Sequence, residues 1–262
     1  MSVQDKSHLN KKNKIFYELN GYLILKDIFS IDEANIFNSN IRRHSNSDFA
    51  ALINPDRYDS LFEQDVRPKS DITIQEIQET SSIARSVMTD RRMLDILDFF
   101  HEKKSVGLSS QFIFKEAYSS YCSQAWRPHQ DNFYPKSKNA AYITLNWFLK
   151  DADKENGTIF CYPGSHKLGL LPANDNISFR EKVGDNPGSE CSIPEEFLDK
   201  KKDIIIPGNS IVILNGNCIH GSYPNNSNRS RPWFSSCYIS EGEEFVVGKS
   251  SKRKKIDLIK NN

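Results

Sequence analysis

Helical periodicity confined to the first hundred residues, followed by β-branched and aromatic runs, predicts an α+β chain with a mainly β core. The core expected is an antiparallel sandwich or jelly roll backed by N-terminal helices. Two observations carry this. Apolar residues recur at intervals of three and four through about residue 101, and six later runs are bounded by Gly, Pro, Asn and Asp turns.

Taken in order, "GYLIL" (21–25) is a short apolar strand. In "SIDEANIFNSNIRR", Ser30 and Glu33 have the spacing of a capping box, and a helix runs to about Arg43 with Ala34, Ile36, Phe37 and Ile41 inward. Residues 44–70 read as loop. "DITIQEIQETSSIARSVMTD" and "RRMLDILDFFHE" read as two helical stretches over 71–101. The strands are "VGLSSQFIFKEA", "AAYITLNWFLKD", "TIFCYP", "DIIIPG", "SIVILNG" and "WFSSCYIS". "PGSH" and "PGNS" supply tight turns, with glycine free to take positive φ. Segment 167–200 interrupts the strands as a long insertion or lid. The tail from 249 to 262 is basic and reads as a solvated terminus.

Composition narrows the function classes. The 262 residues suffice for one substantial domain, read here as 1–262. Lys+Arg 35 against Asp+Glu 34 leaves nothing global to favour nucleic acid. No apolar run has membrane-spanning length, and the start lacks a signal-peptide segment. Five scattered cysteines without a C-x-x-C fit free thiols in a reducing compartment. The expectation is a cytoplasmic protein, monomer or homodimer, taking a small-molecule substrate, with neither nucleic acid nor membrane as partner.

"WRPHQDNFY" sets His129 and Asp131 two positions apart, a spacing that places both side chains on one face of a strand. Two histidines and one carboxylate on one face of a metal are the ligand set of non-haem Fe(II) oxygenases. A second histidine must come from elsewhere. Of the six in the chain, His8 and His44 lie in polar segments and His101 ends a helix, which leaves His166 and His220. His220 is favoured, because "HGSYPNNSNRSRPWFSSCYI" reads as strand, turn, strand and would set Arg231 on a neighbouring strand. An arginine fork suits the far carboxylate of an iron-bound 2-oxo-dicarboxylate. Arg229, two residues away, competes for that role on spacing alone. Lys115, on one strand face with Gln111, reads either as an exposed barrel-edge lysine or as a partner for an acidic substrate, and Tyr134 either as packing at the barrel mouth or as pointing into the substrate space. No Lys/Arg cluster accompanies these motifs, which argues against CoA esters as substrates.

"RPHQDNFYP", "NWFLKDADKENGTIFCYPGSHKLG" and "IPGNSIVILNGNCIHGSYPNNSNRSRPWFSSCYI" resemble the phytanoyl-CoA dioxygenase family of Fe(II)/2-oxoglutarate oxygenases, and the likeness covers roughly residues 16–240. It implies a double-stranded β-helix, cupin-like core. It also implies Fe(II) as cofactor, with 2-oxoglutarate and O₂ as co-substrates. By that resemblance His129, Asp131 and His220 are the catalytic iron triad and Arg231 the 2-oxoglutarate clamp. Ser222, Trp147 and, more loosely, Gln111 line the co-substrate pocket, and His166 is not a ligand. Related halogenases carry a small residue in place of the triad carboxylate, so Asp131 implies hydroxylation. Desaturation or cyclisation at the same iron, or a cupin-like binding module without oxygenase activity, are the alternatives.

Overall fold

A computed structural model describes residues 8–45, 73–118, 122, 125–138, 141–174, 190–247 and 253–258. Its strands, numbered along the chain, begin with β1 (Tyr22–Lys26), β2 (Thr73–Gln75), β3 (Ser105–Ile113), β4 (Trp126–His129), β5 (Tyr142–Phe148) and β6 (Ile159–Cys161). They continue with β7 (Ala173–Asn174), β8 (Glu190–Cys191), β9 (Lys202–Asp203), β10 (Ser210–Asn215), β11 (His220–Ser222) and β12 (Trp233–Ser240). The larger sheet has the order β1-β10-β5-β12-β3-β2, the smaller β4-β11-β6-β9, and β7 pairs with β8 alone. Every pairing is antiparallel.

Side-chain alternation gives the larger sheet two apolar faces. Leu23, Leu25, Ile143, Leu145, Trp147, Ile211, Ile213 and Phe234 turn to the helices. Tyr22, Ile113, Phe148, Val212, Leu214 and Trp233 turn the other way, onto Ile159 and Cys161 of the smaller sheet. The jelly-roll architecture is therefore present, with two sheets stacked and helices covering one of them.

The helices are α1 (Lys11–Asn20), α2 (Ile31–Ser45), α3 (Ser82–Met88) and α4 (Arg91–His101). The capping box at α2 forms as its spacing requires. Glu33 N–H donates to Ser30 Oγ at 3.1 Å, and the Glu33 carboxylate accepts from Ser30 N–H at 2.7 Å. The same carboxylate accepts from Arg92 at 2.7 Å, and this ties α2 to α4 and holds the Glu33 carboxyl down at about 2. Phe37 is the centre of the helix–sheet contact, its ring 5.2 Å from Trp147 and 5.1 Å from Phe234.

Several expectations need correction. Ile36 is exposed, although Ala34, Phe37 and Ile41 are buried. Residues 73–75 form a strand rather than helix, because they add to the edge of β3. The polar start contains α1, capped by Asn10 and closed by Gly21 at φ 79. "DIIIPG" yields only the end of β9 and a single bridge from Ile206 to Ala152. Segment 167–200 carries the β7–β8 ladder and a 3₁₀ turn, Glu195–Lys200. Of the stretch 44–70 expected as loop, His44 and Ser45 belong to α2 and the remainder lies outside the described residues. The end of the chain is not a plain solvated tail: Ile256 and Leu258 are buried, and Ile256 bridges Gly107. Among the described residues no helix is long and apolar enough to cross a membrane.

Candidate metal centre

His129 closes β4 and His220 opens β11, and the two strands pair so that these residues lie directly opposite. Their ring centroids are 4.3 Å apart. Gly221 permits the approach: a Cβ there would stand 2.4 Å from both the Trp126 carbonyl and the Phe160 ring. Asp131 does not share the strand with His129. It begins a 3₁₀ turn, Asp131–Phe133, so the turn and not strand alternation brings its carboxylate round. That turn is latched in place. Asn132 N–H donates to the Gly216 carbonyl at 2.8 Å, and the Asn132 amide donates to Asn217 and to the Ser137 carbonyl, each at 2.8 Å. The Gln130 amide donates to the carbonyls of Asn217 and Gly169. These two side chains were invisible as positioning groups in the sequence. Their signal, polar residues flanking the ligand in "HQDN", gains meaning only once turn 215–218 packs beside them.

The donor geometry suits a metal ion. His129 Nδ1 donates to the Arg127 carbonyl at 2.7 Å and His220 Nδ1 to the Cys218 carbonyl at 3.0 Å. Each bond fixes the tautomer, leaving the Nε2 lone pair free. Both Nε2 atoms face Asp131 Oδ1 at 3.6 Å, and the ligand atoms of all three residues lie within 4.8 Å of one another. Burial pulls His220 down to about 4, more than Asp131 pulls it back, so its imidazole is neutral at neutral pH. Burial pushes the Asp131 carboxyl up, but His220, His129 and Thr144 outweigh it and hold it below its ordinary range. Two imidazole Nε2 atoms and a carboxylate oxygen thus converge, which fits a divalent cation. Thr144 Oγ1 donates to the second carboxylate oxygen at 3.4 Å and accepts from Asn146 at 3.1 Å.

A second polar group lies along the same inner face. Arg231 is fully buried, its guanidinium 4.1 Å from the Trp233 ring centroid and 5.4 Å from that of Phe148. None of its three side-chain nitrogens has a hydrogen-bond partner. Burial lowers it to about 9. Lys115 is equally buried, donates to Ser222 Oγ at 3.3 Å and to the Tyr223 carbonyl, and is pushed well below its ordinary value by burial and by Arg231. A buried guanidinium with no counter-anion among the described residues is costly, so the pocket is matched to an anion. Of the two readings of Lys115, the exposed edge residue is overturned by its burial.

Other site candidates separate cleanly. Arg229 is part-exposed and paired with Asp153 at 2.7 Å, so it is no competitor for the buried pocket. Arg231 and His220 do not lie on paired strands: β11 belongs to the smaller sheet and β12 to the larger, and the chain crosses between them. Trp147 faces away from the site. Its indole stacks on Phe29 and Phe37 and its N–H donates to Asn209 at 3.0 Å, so neighbouring Asn146 takes the inner face instead. Gln111 opposes Ser235, which also opposes Asn146. His166 bonds the Glu18 carbonyl, away from the triad.

Residues 17–233 match the phytanoyl-CoA dioxygenase (PhyH) family. "Phytanoyl-CoA dioxygenase 1" of Oryza sativa subsp. japonica is 23% identical over 246 residues, covering 82% of this chain and 84% of that one. A "probable alpha-ketoglutarate-dependent hypophosphite dioxygenase" of Stutzerimonas stutzeri is 27% identical, over 57% of this chain and 54% of that one. Among solved structures, the epimerase SnoN in complex with Fe3+, alpha ketoglutarate and nogalamycin RO superimposes with a TM-score of 0.68. It is 16% identical and the match covers 98% of each chain, a likeness of fold. The chain belongs to the phytanoyl-CoA dioxygenase family and is by class an Fe(II)- and 2-oxoglutarate-dependent dioxygenase.

Proposed function

We propose that the enzyme hydroxylates an unactivated carbon of a small molecule, with His129, Asp131 and His220 as the iron ligands and Arg231 as the clamp for the far carboxylate of 2-oxoglutarate. The observation that carries this is the pair of tautomer-fixed imidazoles, each 3.6 Å from one Asp131 oxygen. Bound iron(II) supplies the oxidative chemistry, in which O₂ and 2-oxoglutarate become succinate and CO₂ while one oxygen atom enters a substrate C–H bond.

The chain's own groups do the rest. Arg231 presents a planar donor fork with no hydrogen-bond partner, and the Lys115 amine stands beside Ser222 as a further donor. Ser222 Oγ, already accepting from Lys115, donates its own proton to the same carboxylate. The stacked rings of Phe148 and Trp233 keep water from that end. Thr144 and Asn146 orient the Asp131 carboxylate, and Gln111 takes a place on the same inner face. Desaturation, cyclisation or epimerisation would use the same groups and differ in where the substrate's hydrogen lies.

The test is succinate formation by anaerobically iron-loaded protein given 2-oxoglutarate and then O₂, beside His220→Ala. Succinate from the wild type alone is expected. Equal succinate from both would remove His220 from the triad.

A further inference from the structure

Two ends of the inner face carry buried cations, and the 2-oxoglutarate reading occupies only one. On β5 the inward residues run Tyr142, Thr144, Asn146, Phe148, spanning about 20 Å at 3.3–3.4 Å per residue. Arg231 lies over Phe148, and Thr144 marks the metal ligands. At the Tyr142 end stands Arg253, from the segment that returns after β12. It is buried, and its guanidinium lies 5.9 Å from the centroid of the Tyr134 ring, on the turn that begins at Asp131.

Its placement is anchored on both sides. Val246 N–H donates to the Pro135 carbonyl at 2.6 Å, and Ile256 exchanges two backbone hydrogen bonds with Gly107 at 2.8 and 2.9 Å. Ile256 and Leu258 then enter the helix-side core. Residues 253–258 therefore lie along β3 at Gly107, with Ile256 and Leu258 on the outer face and Arg253 toward the inner one. The charge of Arg253 reaches the Tyr142 hydroxyl and the Cys237 thiol, and both of these also face the Asp131 carboxylate. Yet Arg253 forms no ion pair among the described residues, and its buried Nε has no hydrogen-bond partner. A buried guanidinium with no counter-ion among the described residues, beside the turn that carries Asp131, is suited to receive one.

We infer that Arg253 recognises an oxyanion, carboxylate or phosphoryl, on the primary substrate and so sets its class. This rests on the placement of 2-oxoglutarate at the Arg231 end. Arg253 would hold the anion at the mouth, leaving the carbon to be oxidised further in, beside the metal.

The test uses protein labelled with ¹⁵N-arginine and loaded with 2-oxoglutarate and diamagnetic zinc(II) in place of iron. The Arg253 Nε–Hε resonance is assigned by its disappearance in Arg253→Lys or, should that variant not fold, Arg253→Gln. Acetate and methylphosphonate, small enough to enter any pocket of this kind, are titrated separately, with neutral acetamide as the matched control. A saturable shift from either anion is expected, with acetamide needing at least about tenfold higher concentration. The tighter of the two anions identifies the group. No shift from either, or equal shifts from anion and amide, overturns the inference. The visible absorption that 2-oxoglutarate produces on the iron(II) form of the same preparation separates the two failures. Loss of that absorption sinks the co-substrate reading, whereas its presence without an Arg253 shift sinks this one.

Discussion

Strand β5 sends Ile143, Leu145 and Trp147 to one side of the larger sheet and Thr144 and Asn146 to the other, and the two sides follow different rules. On the helix side the contacts are mainly apolar: rings stack on rings, the indole N–H has its acceptor in Asn209, and the unpartnered polar atoms include two hydroxyls, of Tyr17 and Ser236. On the inner side, lone pairs face a carboxylate and two arginines have buried nitrogens without partners. An unpartnered guanidinium in a protein interior costs far more than an unpartnered hydroxyl, so the inner face is the one a bound anion would stabilise. The outer face holds the fold, and the inner face awaits ligands.

Substitutions that respect this division sharpen it, and any that cross it break it. The largest effect is expected from Asp131→Ala, which should lower turnover to background, at least about 10³-fold, or about 4 kcal/mol in the barrier. Its melting temperature should stay within about 3 °C of wild type by thermal denaturation. A large fall would mean the carboxylate also holds the fold. Phe37→Ala should do the reverse: about 3–5 kcal/mol lost in urea denaturation, with the KM for 2-oxoglutarate unchanged under conditions where the variant is folded. Arg231→Met should raise that KM about 10²-fold, yet stabilise the ligand-free protein by about 1–4 kcal/mol, because it removes an unpaired buried charge. Destabilisation of the ligand-free variant would show that the guanidinium already has a partner.

Smaller effects follow. Thr144→Val should lower turnover about 10- to 100-fold with little change in stability, since it frees only the second oxygen of Asp131. Glu33→Gln probes the outer side alone. The Glu33 carboxyl titrates at about 2 in the fold against an ordinary 4.5, so its contribution is complete above that ordinary value and is lost as pH falls through about 2. The variant should flatten the stability curve across that window by less than about 1 kcal/mol, as the pair is partly exposed.

The same division explains what could be read from the sequence. Strand positions were legible because β-branched runs between turn residues carry local information, and the capping box at Ser30 is a purely local device. The triad residues were legible as a spacing plus a family resemblance, and the structure brings those three together. Which face a strand residue takes was not. Trp147 and Asn146 differ by one position, and only the docking of Phe37 from α2 decides their parity. The connection from His220 to Arg231 looked like a hairpin because both ends are strand-like, but it crosses between sheets. Lys115 as an edge residue and the tail that carries Arg253 were read as exposed because charged residues near element ends usually are; Lys115 instead packs against Gly157, and Arg253 lies three residues before Ile256, which bridges Gly107.

The central claim is that the inner face is completed by iron and 2-oxoglutarate together. Anaerobic titration of the protein with iron(II), followed by 2-oxoglutarate, tests it most directly through metal content and the visible absorption of the chelated co-substrate. One iron per chain, an absorption band that appears with 2-oxoglutarate, and loss of that band in His220→Ala are predicted. Iron at one per chain with no band, or a band that persists in His220→Ala, would contradict the account.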